Sequence, residues 1–281
     1  MMKKPSLLVL ICILSNSLWS QNPWNKKRNE GFFKLDQTFI ISDSFYTPEK
    51  DISDITTTGV YISSLYGEFG ISNKVTGVFY FPFFFRSTLN ELEFSQSGVV
   101  EPGDELNSVG DATIGLQYQV LKKGRFSLSS SLVFGIPLGE DMGGRTQLLQ
   151  SGDGEFNQLL RLHGGYSFYP KPAYLAIGVG FNNRTRGFSD EFHLSVEAGY
   201  TVGEKLNLAI KLYNLSSFQN GSTSESQTGL FSNNLEFLSI GPEISYNLHE
   251  NFGVTGAVFG AFSGRNILAS PSFSAGLFYT L

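Results

Sequence analysis

The side chains able to do chemistry are few and of mixed sign. His163 and His193 stand near Glu155, Glu191 and Glu197 in the chain. Histidine beside carboxylates is the raw material of a metal site or of acid–base catalysis. The spacing argues against both. The two histidines fall in periodic segments separated by a third, and no His pair stands at i,i+4, the spacing that sets two imidazoles on one helical face. Histidines hydrogen-bonded within a polar interior are the preferred reading. Gly165-Tyr166-Ser167 begins a nucleophile elbow but has Tyr169 where the closing glycine belongs. Gly178-Val179-Gly180 begins a dinucleotide fingerprint, with Asn183 at the third glycine position. Gly152-Asp153-Gly154-Glu155 resembles part of a calcium loop without the alternating Asp/Asn ligands. The sequence therefore names no catalytic residue, no cofactor and no metal ligand set.

The elements that carry these residues are strands. Ile114, Leu116, Tyr118 and Val120 alternate with Thr113, Gly115, Gln117 and Gln119. Phe192, Leu194, Val196, Ala198, Tyr200 and Val202 alternate with Glu191, His193, Ser195, Glu197 and Thr201. Successive strand side chains point to opposite faces, so one face is greasy and the other polar or small. Twelve such segments run at 32–42, 58–70, 74–86, 109–121, 126–138, 155–169, 173–185, 191–202, 206–217, 235–248, 252–263 and 271–281, with ends defined to about 2–4 residues. They are 11 to 15 residues long. Globular strands average ~5–6 residues, and a tilted strand crosses a bilayer in ~9–11. Short turns at 72–73, 122–125, 170–172, 203–205 and 249–251 alternate with longer loops near 43–57, 87–108, 139–154, 186–190, 218–234 and 264–270. Short turns at one rim and long loops at the other predict an all-β fold. It is a single antiparallel up-and-down barrel of 12 strands in an outer membrane, with both termini at the periplasmic, short-turn rim.

Polar groups in such a barrel belong in the lumen. Parity places Asp111, Arg161, His163, Tyr174, Gly180, Arg184, His193, Glu197, Lys211, Tyr213 and Glu243 there, with Lys34, Asp36, Glu68, Glu155, Glu191 and Glu236. Arg161, His163, Glu197, Lys211 and Glu243 are expected together near mid-height. Opposite signs at that level either fill the lumen or line a polar passage, and buried charges must be partnered in both cases. Gly178, Gly180 and Gly199 are expected to leave a gap beside them, with Tyr174 and Tyr213 as stacking partners for a solute.

The ends of the chain have their own signals. Lys3 and Lys4 precede an apolar run from Leu7 to Leu14, and Ser20 precedes Gln21; residues 1–20 read as a secretory signal peptide. The single cysteine, Cys12, lies within it, so the exported chain has neither disulfide nor cysteine metal site. Residues 21–31 (QNPWNKKRNEG) are polar and expected to form a loose periplasmic tail, leaving 32–281 as the barrel. The net charge is −5 and becomes −7 without Lys3 and Lys4. That argues against nucleic acid, which requires a basic face. Phe273, Ala275, Leu277, Tyr279 and Leu281 alternate to the last residue.

One stretch resembles a known family. Gly110-Asp111 enters an alternating strand (GDATIGLQYQVLKKG), a basic glycine-containing turn follows, and a serine-rich strand ends in Gly135-Ile136-Pro137-Leu138-Gly139. This looks like the outer-membrane proteins labelled phenol meta-pathway transporters, distant relatives of the long-chain fatty-acid channels. SGDGEFNQLLRL (151–162) and GFNNRTRGFSDEF (180–192) resemble members from Bacteroidetes. The resemblance implies a Gram-negative outer-membrane transporter of small hydrophobic or aromatic compounds. It also implies that Phe273–Leu281 is read by the barrel-assembly machinery. The implied partners are outer-membrane lipid and a small solute. Only about eleven residues separate the leader from the first strand, so no counterpart of the fatty-acid channels' N-terminal plug is expected. The rival functions are a structural or surface-interaction barrel with a filled lumen and an outer-membrane hydrolase.

The orientation is testable in whole cells. A cysteine at Ser97, on a long loop, should react with an impermeant thiol reagent, and one at Lys123, on a short turn, should not. The reverse pattern would invert the topology.

Overall fold

The computed structural model describes residues 23–94, 98–222 and 229–281; the leader 1–20 and Ser97 lie outside them. In chain order the strands are β1 Gly31–Tyr46, β2 Ile52–Ser72, β3 Val75–Leu89, β4 Leu92–Phe94, β5 Val99–Glu101, β6 Asp104–Ser108, β7 Ala112–Lys123 and β8 Phe126–Ile136. There follow β9 Asn157–Ser167, β10 Ala173–Arg184, β11 Glu191–Val202, β12 Leu206–Ser217, β13 Glu236–Asn247, β14 Phe252–Arg265, β15 Ile267–Leu268 and β16 Ser272–Thr280. Twelve of these form the wall: β1 to β3, β7 to β14, and β16. Each is antiparallel to its neighbour, and β1 pairs with β16 from Phe32↔Thr280 to Ile40↔Ser272 as well as with β2. The sheet is thus closed, and an open edge in hydrocarbon is avoided.

The side-chain pattern is that of a soluble protein turned inside out. Ile114 is 55% exposed and Leu277 46%, while Ser127, Ser129, His163 and His193 are buried. Hydrocarbon outside rewards the apolar face, and the polar face turns inward.

Three departures from strict alternation shape the molecule. β1 and β2 continue past the expected membrane span and pair as far as Tyr46↔Ile52, so the loop expected at 43–57 shrinks to 47–51. The loop after β3 contains the β4–β5 hairpin and β6, which pairs with the end of β3. Within β3, one extra residue stands opposite β2 between Phe81↔Leu65 and Phe84↔Ser63. Pro82, which cannot donate to a ladder, sits in this bulge. The inward face changes parity there, from Thr76 and Tyr80 below to Phe85 and Ser87 above.

The closing strand gives a direct test of facing. Leu277 points to lipid, and Ser245 lines a roomy part of the lumen. Leu277→Arg should cost roughly 2–4 kcal/mol near mid-bilayer and weaken the heat-modifiable folded band on gels. Ser245→Arg should leave that band largely intact. Gly276, though inward, is no neutral control, because a Cβ there would lie 2.5 Å from Asp36 Oδ1 and 2.8 Å from the Leu35 carbonyl oxygen.

Candidate functional site

The lumen has two halves of different chemistry. At the long-loop half the inner face is apolar. Ile40, Ile62, Phe85, Leu215, Phe237 and Phe259 belong to one buried cluster. Many come from strand stretches where alternation gives way to continuous apolar runs, such as Phe39-Ile40-Ile41 and Val258-Phe259. Such a run is what a strand needs when both of its faces meet apolar surroundings. Leu230 and Phe231 enter from the loop before β13, and the Phe231 ring meets Phe85 at 5.8 Å between centroids. With Ile62, Phe85, Leu215 and Phe237 they wall one side of a cavity of about 200 Å³. An apolar cavity of about 150 Å³ holds a benzene molecule, so this chamber has one-ring dimensions. Its other side is polar, with Arg161, Asn182, Arg184, Glu191 and His193.

Arg184 organises that polar side. Its guanidinium donates to Glu155 at 2.7 Å, Glu191 at 2.8 Å and Asp153 at 2.6 Å, and lies 4.4 Å from the Phe188 ring centroid. Glu191 also meets His193 Nε2 at 3.0 Å and accepts from Asn182 Nδ2. Asp111 accepts from the backbone N–H groups of Gly139 and Asp153. The Gly152–Glu155 stretch thus takes an internal guanidinium as its cation. Charge-assisted bonds of this kind are the strong ones, and here they tie the 137–156 loop and the start of β11 to one point. Burial, together with the neighbouring Asp111 carboxylate, pushes the Asp153 carboxyl up to about 7 against the attraction of Arg184. Burial raises Asp111 and Glu155 as well.

The five charges expected at one mid-height level are split. Arg161 and His163 border a small cavity of about 30 Å³ with Tyr66, Tyr80, Gln117 and Ser131. His163 is buried, with Nε2 3.3 Å from Ser131 Oγ. Glu197, Lys211 and Glu243 lie instead in a vestibule of about 770 Å³ at the short-turn rim. There Lys211 bonds Glu243 at 2.8 Å and Glu197 at 3.5 Å, and the Tyr174 hydroxyl donates to Glu197. The small cavity shares Tyr66 with the vestibule and Arg161 with the apolar chamber, and so lies between them.

Several sequence expectations fail on packing. The glycines leave no gap: a Cβ on Gly178 would meet Ser195 Oγ at 2.6 Å, on Gly180 Arg161 Cγ at 3.0 Å, and on Gly199 the Tyr174 ring at 2.2 Å. Larger neighbours have filled the space that the missing side chains open. Tyr213 is buried against Phe259, with centroids 5.6 Å apart, and belongs to the apolar cluster. Glu236 sits at the rim between Lys50 and Arg265. The apolar chamber has its sequence signal in the runs just named and in the parity change at Pro82.

Residues 23–30 are not a loose tail. Asn25 donates to the carbonyls of Lys74 and Gln117, Ser127 Oγ donates to the Pro23 carbonyl, and Lys26 pairs with Glu68 at 3.2 Å. Trp24 meets Tyr174 edge to face at 5.7 Å. Gly165 accommodates this segment, since a Cβ there would stand 2.3 Å from Pro23 Cγ. The polar composition that suggested solvation instead matches the polar inner wall of the short-turn mouth, which the segment narrows.

A family model described as "Putative MetA-pathway of phenol degradation" matches residues 35–276. Among solved structures, the chain is similar to an outer membrane channel from Pseudomonas putida F1, with a TM-score of 0.67 and 12% identity over 92% of this chain and 98% of that one. It is also similar to the translocator domain of autotransporter NalP from Neisseria meningitidis, with a TM-score of 0.52 and 10% identity over 90% and 89% of the chains. The beta domain of the Bordetella autotransporter Brka gives a TM-score of 0.51 and 13% identity over 90% and 100%. At these identities the likeness is one of fold. A search of curated proteins finds no match.

The acid cluster predicts a pH dependence. A carboxyl whose folded-state value is raised favours the docked loop while protonated. The penalty for its ionisation grows as pH rises from the ordinary aspartate range towards about 7, and is complete above it. Hydrogen exchange across 139–155 should therefore quicken between pH 5 and pH 8 beyond the intrinsic chemical trend. In Asp153→Asn that excess should shrink to the part contributed by Asp111 and Glu155.

Proposed function

The chain belongs to this phenol-degradation family of outer-membrane barrels, and on that premise we propose that it is a passive channel for small hydrophobic or aromatic solutes. The observation that carries the reading is the apolar chamber of about 200 Å³ within the lumen. A one-ring solute entering from the long-loop, extracellular side gains about 25 cal/mol for each Å² of apolar surface it buries there. A sugar entering the same space loses its hydration and finds partners along one wall only, which costs free energy for each hydroxyl left unpaired. From the chamber the route leads past Tyr66 and Arg161 into the vestibule, then beside residues 23–27 to the periplasm. The small cavity between chamber and vestibule holds only about 30 Å³, too little for a ring, so on this reading side-chain movement there sets the rate.

We read the protein as a channel and not an enzyme. Among the described residues, Ser131 Oγ lies 3.3 Å from His163 Nε2. His163 Nδ1 has no hydrogen-bond partner, so nothing orients that imidazole as a base, and a working pair needs an orienting third group.

Flux from liposomes carrying the purified protein tests the reading. The probes are benzenesulfonate and phenyltrimethylammonium, single-ring ions that a bilayer retains, against glucose. Both aromatics should escape severalfold faster than the sugar. Leu215→Trp, which fills the chamber, should slow the aromatics while the folded band persists. No flux of any probe above empty liposomes would leave the filled structural barrel as the better account.

A further inference from the structure

Gln37 is out of place on the lipid face of the barrel. Alternation turns Phe33, Leu35, Gln37, Phe39 and Ile41 of β1 outward, and Leu35, Phe39 and Ile41 are exposed there as hydrocarbon requires. Gln37 stands in the middle of that row and is exposed as well. Its amide Nε2 donates to the Thr38 carbonyl at 3.2 Å, and its Oε1 accepts from Ser63 Oγ at 2.6 Å. A carbonyl can only accept, which fixes the orientation of the amide. A glutamine amide has two N–H groups and two acceptor positions, so these bonds leave one of each facing acyl chains that can meet neither. Ser130, also outward, shows the usual remedy: its hydroxyl donates to the Arg161 carbonyl.

The wall around Gln37 is low. The register sets Ser63, Gln37, Ala275 and Gly256 side by side across β2, β1, β16 and β14. All are small except the glutamine. Above this row the Phe39 and Phe273 rings stack, 5.3 Å between centroids. Below it stand Leu35 and Leu277, which are cross-strand partners. The row is thus a shallow trough between two apolar ridges. The barrel's own packing does not demand a glycine at position 256, because a Cβ there would meet nothing nearer than the Ser274 carbonyl oxygen at 3.9 Å. Within a membrane, small side chains let two backbones approach, and polar side chains then bond across the contact.

We propose that this face is the contact between two copies of the chain, related by a two-fold axis that passes beside Gln37. A two-fold contact joins a patch to itself, and a primary amide is its own complement. The spare N–H of each Gln37 meets the spare acceptor of the other. Both copies insert with the same topology, so the axis runs along the membrane normal. Gln37 then faces Gln37 at equal depth, and the Phe39–Phe273 ridges flank the pair. Lipid chains cannot supply such a partner, and an unrelated protein would have to bring its own amide to the same depth. The contact lies on the outer wall, so it is independent of what the lumen carries.

Energy transfer between labelled copies in a bilayer tests this. Glu49→Cys, on the 47–51 loop, is labelled with a donor dye in one preparation and an acceptor in another. The two are reconstituted together in phosphatidylcholine vesicles over a range of protein-to-lipid ratios. The unsubstituted chain, whose one cysteine is Cys12, is the labelling blank. Transfer should exceed that of random mixing and fall on dilution with lipid. Gln37→Leu puts an apolar side chain on the lipid face and so spares folding. It should raise the dissociation constant about tenfold, as expected for two hydrogen bonds lost within a membrane. Ala275→Trp, which fills the trough, should also weaken association. Val179→Trp, outward on β10 at the opposite side of the ring, should leave it unchanged. The heat-modifiable folded band is followed for every variant. Transfer no greater than random mixing would overturn the proposal. So would undiminished association in Gln37→Leu with its folded band intact, or an equal loss in Val179→Trp.

Discussion

The ladder between β1 and β16 is the contact on which the rest of the molecule depends. In hydrocarbon an unpaired backbone group costs several kcal/mol, so a sheet must close on itself before it can sit in a bilayer. Closure fixes a second thing at once. With the register from Phe32↔Thr280 to Ile40↔Ser272 set, each wall strand has a defined lipid face and a defined lumen face. The alternation that looked like a pattern of composition is the physical record of that division.

The division does not make the lumen uniformly polar. The short-turn half is lined by paired charges and closed down by the chain's own N-terminal segment. The long-loop half is apolar along one side of its inner face, where Leu230 and Phe231 of a loop join the strand residues. The bulge at Pro82 belongs to this second half. By inserting one residue it turns Phe85 inward and sends Phe84 and Arg86 outward, trading one ladder position for an aromatic wall. The long-loop chamber thus sets an apolar wall against a polar one, while the short-turn vestibule is lined by paired charges.

Much of this was legible in the residues. Strand number, closure, the position of the termini and the inward face of β9, β10 and β11 follow from period-two alternation and from turn composition. The ion partners of Arg184 were not legible, because they come from a loop, and loops carry no period. The apolar chamber was hidden for the opposite reason. Where both faces of a strand are apolar, alternation vanishes and a run such as Phe39-Ile40-Ile41 reads only as a hydrophobic stretch. Residues 23–30 misled because a polar segment suits water and a polar lumen equally well. Only the partners, such as Glu68 and Ser127, tell the two apart.

The Arg184 cluster has a meaning for assembly as well as for the finished barrel. Its carboxylates arrive from before β9 and from the first residue of β11, while the guanidinium closes β10. A slip of one residue in β10 against either neighbour would turn Arg184 from the lumen to the lipid and leave buried carboxylates without their cation. Both penalties fall on the same error. The cluster therefore acts as a proofreading mark: three successive strands can complete it only in their native alignment, and a barrel that has closed with a slipped register carries the mistake as an exposed charge.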